Sequence, residues 1–249
     1  MRRSLTDLLN LLLPPACPLC GRESERVGIC SGCIAGIHPV ASPCCPRCDL
    51  PYPTEGGTDH LCEACLRSAP PFSWARAAGV YEGILRKAVH QFKYHGAVDL
   101  DRPLGQLLAA ALTEPASRLL PDLLIPVPLH RSRLSERTYN QSLLLARALG
   151  KEWQIPVAAR RLLRVRATSP QQGLSEQLRR ANMKGAFALS APLAGEKVLL
   201  IDDVLTTGAT VAECSRILLE GGAGEVGVAV LGRARKNVSL SLDNFHQIN

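Results

Sequence analysis

The sequence predicts an α/β protein, a parallel sheet flanked by helices, preceded by a small module built on four-cysteine sites. Three observations carry this. Residues 198–201 are a short apolar run that ends in Asp202-Asp203, and Thr206-Thr207-Gly208-Ala209-Thr210 follows almost at once. Val211, Cys214 and Leu218 beyond it are spaced as one face of a helix, so the segment reads strand, tight loop, helix. Further apolar runs at 123–127 and 226–231 alternate with stretches of helical period, the pattern of βα units. Finally, nine of the ten cysteines fall between residues 17 and 65.

With 249 residues the chain can hold one large domain or two modest ones, and 46% apolar residues with a mean hydropathy of +0.05 is an ordinary globular composition. The net charge of +7 is unevenly placed. Residues 1–76 balance 7 Lys/Arg against 7 Asp/Glu, whereas residues 86–185 carry 17 against 7. A basic middle attracts polyanions: a pyrophosphate, a nucleotide or a nucleic-acid backbone. Aromatic residues make up only 4%, which leaves few platforms for stacking bases. No segment reaches the roughly 18 consecutive apolar residues of a membrane span.

Taken in order, residues 1–15 open with Met1-Arg2-Arg3 and a leucine-rich run that mimics a signal peptide. Asp7 and Asn10 interrupt its apolar core, and Pro14-Pro15 makes a poor cleavage site. Leu5, Leu8, Leu9 and Leu12 instead share one helical face, so an amphipathic lead-in helix and a cytoplasmic location are expected.

Residues 16–70 hold four Cys-x-x-Cys pairs: Cys17/Cys20, Cys30/Cys33, Cys45/Cys48 and Cys62/Cys65. Two thiolates from one tight turn bind one face of a metal ion, and two such knuckles complete a tetrahedral zinc site. Without an export signal, structural zinc is expected rather than disulfides. Sequential pairing gives one zinc to Cys17, Cys20, Cys30 and Cys33 and a second to Cys45, Cys48, Cys62 and Cys65. Crossed pairing and Cys44 in place of Cys45 are the alternatives, with His38 and His60 as weaker substitutes. Cys214 reads as a buried helix residue. Each four-thiolate site has a formal charge of −2, so the loaded module suits a structural or protein-partner role better than DNA contact.

Pro70-Pro71 marks the boundary of the second unit, residues 71–236. A strand is expected from Ala75 to Tyr81, then helices from Gly83 to Phe92 and from Leu100 to Leu112. Residues 123–128 form the next strand. It runs into an arginine-rich loop containing Arg131 and Arg133, whose planar, permanently charged forks match phosphate oxygens. Leu143 to Trp153 reads as a helix, and Pro156 to Arg166 as a strand pair or hairpin. Residues 167–186 are polar and Gln-rich, which suggests a mobile lid over a substrate. The tail, 237–249, is polar.

The Asp-Asp/Thr-Thr-Gly segment has neither the spacing of a P-loop nor GxGxxG after a strand. It resembles the phosphoribosyl diphosphate (PRPP) signature of type I phosphoribosyltransferases, which have a Rossmann-like parallel sheet. The ordered combination is wider: the double four-cysteine knuckle, Pro126-Val127-Pro128-Leu129-His130-Arg131-Ser132-Arg133, Tyr139-Asn140-Gln141-Ser142, and Asp202 to Gly208. Over roughly residues 5–235 it resembles the ComF/GntX family, double-zinc-ribbon proteins with a phosphoribosyltransferase domain.

The resemblance implies that Thr206, Thr207, Gly208, Ala209 and Thr210 cradle the 5′-phosphate. Asp202 and Asp203 hold the ribose hydroxyls and favour the positive charge developing at the anomeric carbon, and so are the catalytic candidates. Arg131, Arg133 and Lys93 meet the pyrophosphate, with Mg2+ bridging its oxygens. It also implies a role in natural transformation through handling of incoming single-stranded DNA. The alternative is a genuine phosphoribosyltransferase of nucleotide metabolism or salvage with an unknown acceptor. One departure stands out: Thr138 occupies a place where the family commonly has Gly.

Overall fold

A computed structural model describes residues 16–24, 28–54, 56–94, 98–112, 121–130, 133–134, 138–167 and 176–235. The expected lead-in helix, the tail, Arg131 and the first part of the polar stretch (168–175) lie outside the described residues.

Four strands form the sheet: β1 (Trp74–Val80), β2 (Leu123–Pro126), β5 (Lys197–Leu205) and β6 (Glu225–Arg233). Their order is β1-β6-β5-β2 and every pairing is parallel. Helices α3 (Gly83–Tyr94), α4 (Asp101–Ala111) and α5 (Gln141–Trp153) connect β1 to β2 and follow it, and α7 (Ala209–Glu220) connects β5 to β6. The central strands are apolar on both faces, as a sheet covered on both sides requires.

Because strand side chains alternate, β5 feeds two cores. Val198 and Leu200 pack with Val211, Cys214 and Leu218 of α7. Leu199 and Ile201 pack with Leu85, Ala88 and Phe92 of α3, Leu104 and Leu108 of α4, and Leu145 and Leu149 of α5.

The cysteine module divides between these two cores. The first knuckle pair, with helix α1 (Ser31–Ala35), contributes Cys17, Leu19, Cys33 and Ile37 to the α3 side. The second, with helix α2 (Glu63–Arg67), contributes Cys45, Cys48, Leu50, Cys62 and Cys65 to the α7 side. The second also covers the sheet edge. The Ala75 N–H donates to the Arg47 carbonyl and the Ala77 N–H to Asp49 Oδ2, both at 2.8 Å, which pairs backbone groups an edge strand would leave open.

The strand pair expected within 156–166 forms differently. β3 (Leu162–Arg164) pairs antiparallel with β4 (Phe187–Leu189), so the polar stretch is the excursion between two distant partners. Its later part is helix α6 (Glu176–Met183). Met183 is buried, and the Gly185 N–H donates to Glu213 of α7 at 2.8 Å, so this end is anchored. β5 also extends past the two aspartates to Leu205, because β6 continues to pair with it through Arg233.

Candidate phosphoribosyl site and metal centres

Asp202 and Asp203 occupy the last half of β5, and alternation sends them to opposite faces. Asp203 meets Lys93 in the last turn of α3, with Nζ 2.8 Å from Oδ1 and both side chains largely buried. Burial by itself would lower the Lys93 pKa, but the charge and hydrogen bond of Asp203, with Asp202 behind it, hold it above its ordinary value. Lys93 therefore remains an ammonium clamped to a carboxylate.

Asp202 accepts from the Ser142 hydroxyl and from the Asp203 N–H, each at 2.9 Å, through Oδ1. Burial, reinforced by the neighbouring Asp203 charge, pushes its pKa up to about 7. Ser142 is set by the start of α5, where Asn140 caps the helix: its Oδ1 accepts from the Ser142 N–H at 3.0 Å and its Nδ2 donates to the Val127 carbonyl at 3.0 Å. Tyr139 Oη and Gln141 Nε2 both donate to the Phe92 carbonyl one residue before Lys93, at 2.7 and 3.3 Å. The Tyr-Asn-Gln-Ser segment thus ties the ends of α3 and α5 beneath the carboxylates.

Beyond Leu205 the chain turns through Thr206–Gly208 into α7. Gly208 is the N-cap with φ 82°, a left-handed conformation that glycine adopts without the Cβ penalty. No side chain caps the helix there, so its first N–H groups keep their capacity for an anion. Thr207 Oγ1 is buried without a hydrogen-bond partner among the described residues. An orphaned buried hydroxyl beside an uncapped helix N-terminus suits a phosphate oxygen. The Thr210 hydroxyl contacts Met183 Sδ at 3.6 Å, which joins the loop to α6.

Of the residues expected at the site, Asp202, Asp203, Lys93 and Thr206 to Thr210 come together along the ends of β5 and α3. Lys93 serves as the partner of Asp203, a contact no sequence spacing announces. Arg133 is half-buried just after β2.

Four contributors escaped the sequence reading. Ser142 lay within the quoted Tyr-Asn-Gln-Ser run but its bond to Asp202 spans 60 residues of sequence. Arg164 on β3 stacks its guanidinium 5.5 Å over the Phe187 ring. Burial, with the charges of Arg133 and Arg166, lowers its pKa from the ordinary value, while Asp202 acts in the opposite sense. Arg133, Arg164 and Arg166 are thus near enough to act on one another, and Arg164 also feels the Asp202 carboxyl. Arg233, at the end of β6, and Met183 complete the set.

The cysteines gather as two groups, Cys17/Cys20/Cys30/Cys33 and Cys45/Cys48/Cys62/Cys65, with the ligand atoms in each within 4.8 Å of one another. This is the sequential pairing, with Cys45 rather than Cys44 in the second group. The Cys30 N–H donates to Cys17 Sγ and the Cys62 N–H to Cys45 Sγ, both at 3.4 Å, bonds that suit thiolates. The donor sets fit structural zinc: four sulfurs, no open position and a surrounding of backbone donors. Cys44 instead has its N–H bound to Asp59, and Cys214 is fully buried in α7. No helix among the described residues is long and apolar enough to cross a membrane.

Comparison with known proteins agrees with this arrangement. Residues 8–66 match the family described as double zinc ribbon domain, and residues 141–247 match the phosphoribosyl transferase domain. The chain is 36% identical over 230 residues to the DNA utilization protein YhgH of Salmonella typhi, covering 90% of this chain and 99% of the relative. It is 36% identical over 216 residues to competence protein F of Haemophilus influenzae, covering 83% and 91%. It is 26% identical over 204 residues to competence protein ComFC of Bacillus subtilis, covering 78% and 79%. With two zinc-type knuckle sites, the Asp-Asp/Thr-Thr-Gly strand and loop, and relatives of this identity over nearly their full length, the chain belongs to the ComF/GntX family of double-zinc-ribbon phosphoribosyltransferase-fold proteins.

Proposed function

We propose that this protein binds PRPP at the Asp202–Thr210 segment and acts in DNA uptake, handling incoming single-stranded DNA in the cytoplasm. The observation that carries the ligand assignment is the unpartnered buried Thr207 hydroxyl at the uncapped start of α7, close after the adjacent carboxylates of Asp202 and Asp203. The loop N–H groups and hydroxyls would accept the 5′-phosphate, and Asp202 and Asp203 would take the ribose hydroxyls. Lys93 keeps the charge of Asp203 compensated, and Ser142 fixes the orientation of Asp202. Arg133 and Arg164 would face the pyrophosphate. Mg2+ bound to the pyrophosphate would supply charge neutralisation.

The DNA role is supported by the names of the relatives, DNA utilization and competence proteins, and by the basic excess in residues 86–185. With few aromatics, the contact would be mainly to the phosphate backbone and therefore steeply salt-dependent. Calorimetric titration with PRPP and Mg2+ tests the ligand: binding by wild type and at least tenfold weaker binding by Asp203→Asn is expected, and no binding by wild type overturns it. Single-stranded DNA affinity measured from 50 to 200 mM salt tests the second part, and absence of binding at low salt removes it.

A catalytic reading is favoured by one feature, the carboxylate pair where positive charge would develop in a departing phosphoribosyl group. Pyrophosphate release from PRPP and Mg2+ across a panel of bases, lost in Asp203→Asn, would establish it. Equal release by the variant would count against it.

A further inference from the structure

Arg233 is almost fully buried, 6% exposed, and its guanidinium is shared between two parts of the molecule. Nη1 donates to the carbonyls of Leu205 and Thr206, at 2.9 and 2.6 Å, and to that of Ala234 at 2.9 Å. Nε donates to the Cys48 carbonyl at 2.8 Å, and Nη2 lies 3.7 Å from Cys48 Sγ. Leu205 and Thr206 are the residues where β5 hands over to the Thr206–Thr210 loop. Cys48 is a member of the second four-cysteine group. In the sheet Arg233 stands opposite Leu205, at the last paired position of β6. One side chain therefore spans from the knuckle to the start of the loop.

The charge arrangement gives this contact a direction. A buried guanidinium is costly unless paired. The carbonyls supply dipoles, while the nearest compensating charges are those of the knuckle: a loaded four-thiolate site is formally −2, and Asp49, buried on the same knuckle, acts on Arg233 as well. Without metal the site no longer carries the formal −2 of the loaded knuckle. The knuckle also loses the tie between Cys45/Cys48 and Cys62/Cys65. The first knuckle pair has no such bridge to the loop among the described residues; Lys87 Nζ, on α3, donates to its Leu19 carbonyl.

We propose that Arg233 is a positioning residue that ties the second zinc knuckle to the loop assigned to the 5′-phosphate, so that metal loss at Cys45, Cys48, Cys62 and Cys65 loosens that loop. The functional consequence rests on the PRPP reading of the loop, whereas the mechanical coupling does not. Zinc at the second site is thereby a condition for phosphate binding rather than only a fold stabiliser. The first site is not.

The decisive experiment is amide hydrogen exchange on the full-length, ligand-free protein, read at residues 205–210 and at β2. Four samples are compared with wild type: Arg233→Gln, Arg233→Lys, Cys65→Ser and Cys20→Ser, each with its zinc content measured. About tenfold or faster exchange at 205–210 is expected in Arg233→Gln with two zinc retained and β2 unchanged, and in Cys65→Ser a rise at 205–210 that exceeds any rise at β2. Cys20→Ser should leave 205–210 as in wild type. Wild-type exchange in a folded, two-zinc Arg233→Gln overturns the proposal, as does an equal effect from Cys20→Ser.

Should Arg233→Gln fail to fold, Arg233→Lys, which keeps the charge but lacks the fork, decides in the same way. Partial metal removal from wild type by a chelator supplies an independent arm. A parallel PRPP titration should show affinity falling about tenfold in Arg233→Gln. If wild type binds no PRPP, the functional reading fails while the exchange result still decides the role of Arg233.

Discussion

Lys93 Nζ and Asp203 Oδ1, 110 residues apart in sequence, form a 2.8 Å ion pair at the point where α3 and β5 end together. Both side chains are largely withdrawn from water, so removing one leaves the other charge poorly compensated. Because some exposure remains, the cost should lie toward the lower end for buried pairs, about 2–3 kcal/mol for Lys93→Met. Lys93→Met combined with Asp203→Asn should recover most of that loss. A double-mutant cycle by urea unfolding measures the coupling, and additive single losses would show that the pair does not stabilise the fold.

On the proposed PRPP reading, Asp202 should make ligand binding pH-dependent. Its pKa in the folded protein is about 7, raised by burial and by Asp203, so it is largely protonated at pH 6 and ionised at pH 8. A raised carboxylate is most favourable to folding below its unfolded pKa, near 4, and that contribution fades as pH rises through about 7. Binding runs the other way: a cationic transition state or ribose hydroxyl donors prefer the ionised form. PRPP affinity should therefore rise about tenfold per pH unit below 7 and flatten above it, with proton release on binding near pH 6.5. Ser142→Ala removes a hydrogen bond to the charged form and should move the profile to higher pH. Calorimetry in buffers of different ionisation enthalpy reads both effects.

These residues show which parts of the site the sequence could disclose. Asp202 to Thr210 is contiguous, so the local order of apolar run, carboxylates and small hydroxyl residues carries its own meaning. The cysteine groups are nearly as legible, because each knuckle is a local turn and only the pairing of knuckles is long-range. The Lys93, Ser142, Arg164 and Arg233 contacts are different in kind. Each depends on which strand neighbours which, and the β1-β6-β5-β2 order places the end of β6 beside β5 and the second knuckle. The pairing of β3 with β4 was illegible for the same reason: it closes across a polar excursion that resembles a free loop.

Thr138 records a local conflict. It sits at φ 64°, a left-handed conformation that disfavours a β-branched residue. The next residues, Tyr139 to Ser142, must reach Phe92 and Asp202, and this fixes the backbone despite the strain. Thr138→Gly should relieve about 1–2 kcal/mol of strain and forfeit about 0.4–1 through the greater freedom of the unfolded chain. The net expectation is stabilisation of about 1 kcal/mol, visible as a higher midpoint in denaturant. An unchanged or lower midpoint would mean that other contacts of Thr138 outweigh the backbone term.

Cys44 and Cys45 are adjacent and both buried, yet they belong to different chemistry. Cys45 accepts the Cys62 N–H and lies with Cys48, Cys62 and Cys65. Cys44 is turned toward Asp59, whose carboxylate takes its N–H at 2.8 Å, and burial with the nearby acids Asp49 and Asp59 pushes its thiol up to about 11. Its sulfur is not among the four, from Cys45, Cys48, Cys62 and Cys65, that gather within 4.8 Å of one another. Cys44→Ser should therefore retain two zinc per chain, while Cys45→Ser should drop to one and lose much of the stability of the α7-side core, which includes all four cysteines of that group. Metal analysis of the purified variants separates the two. A loss of one zinc from Cys44→Ser with retention in Cys45→Ser would reverse the assignment of this knuckle.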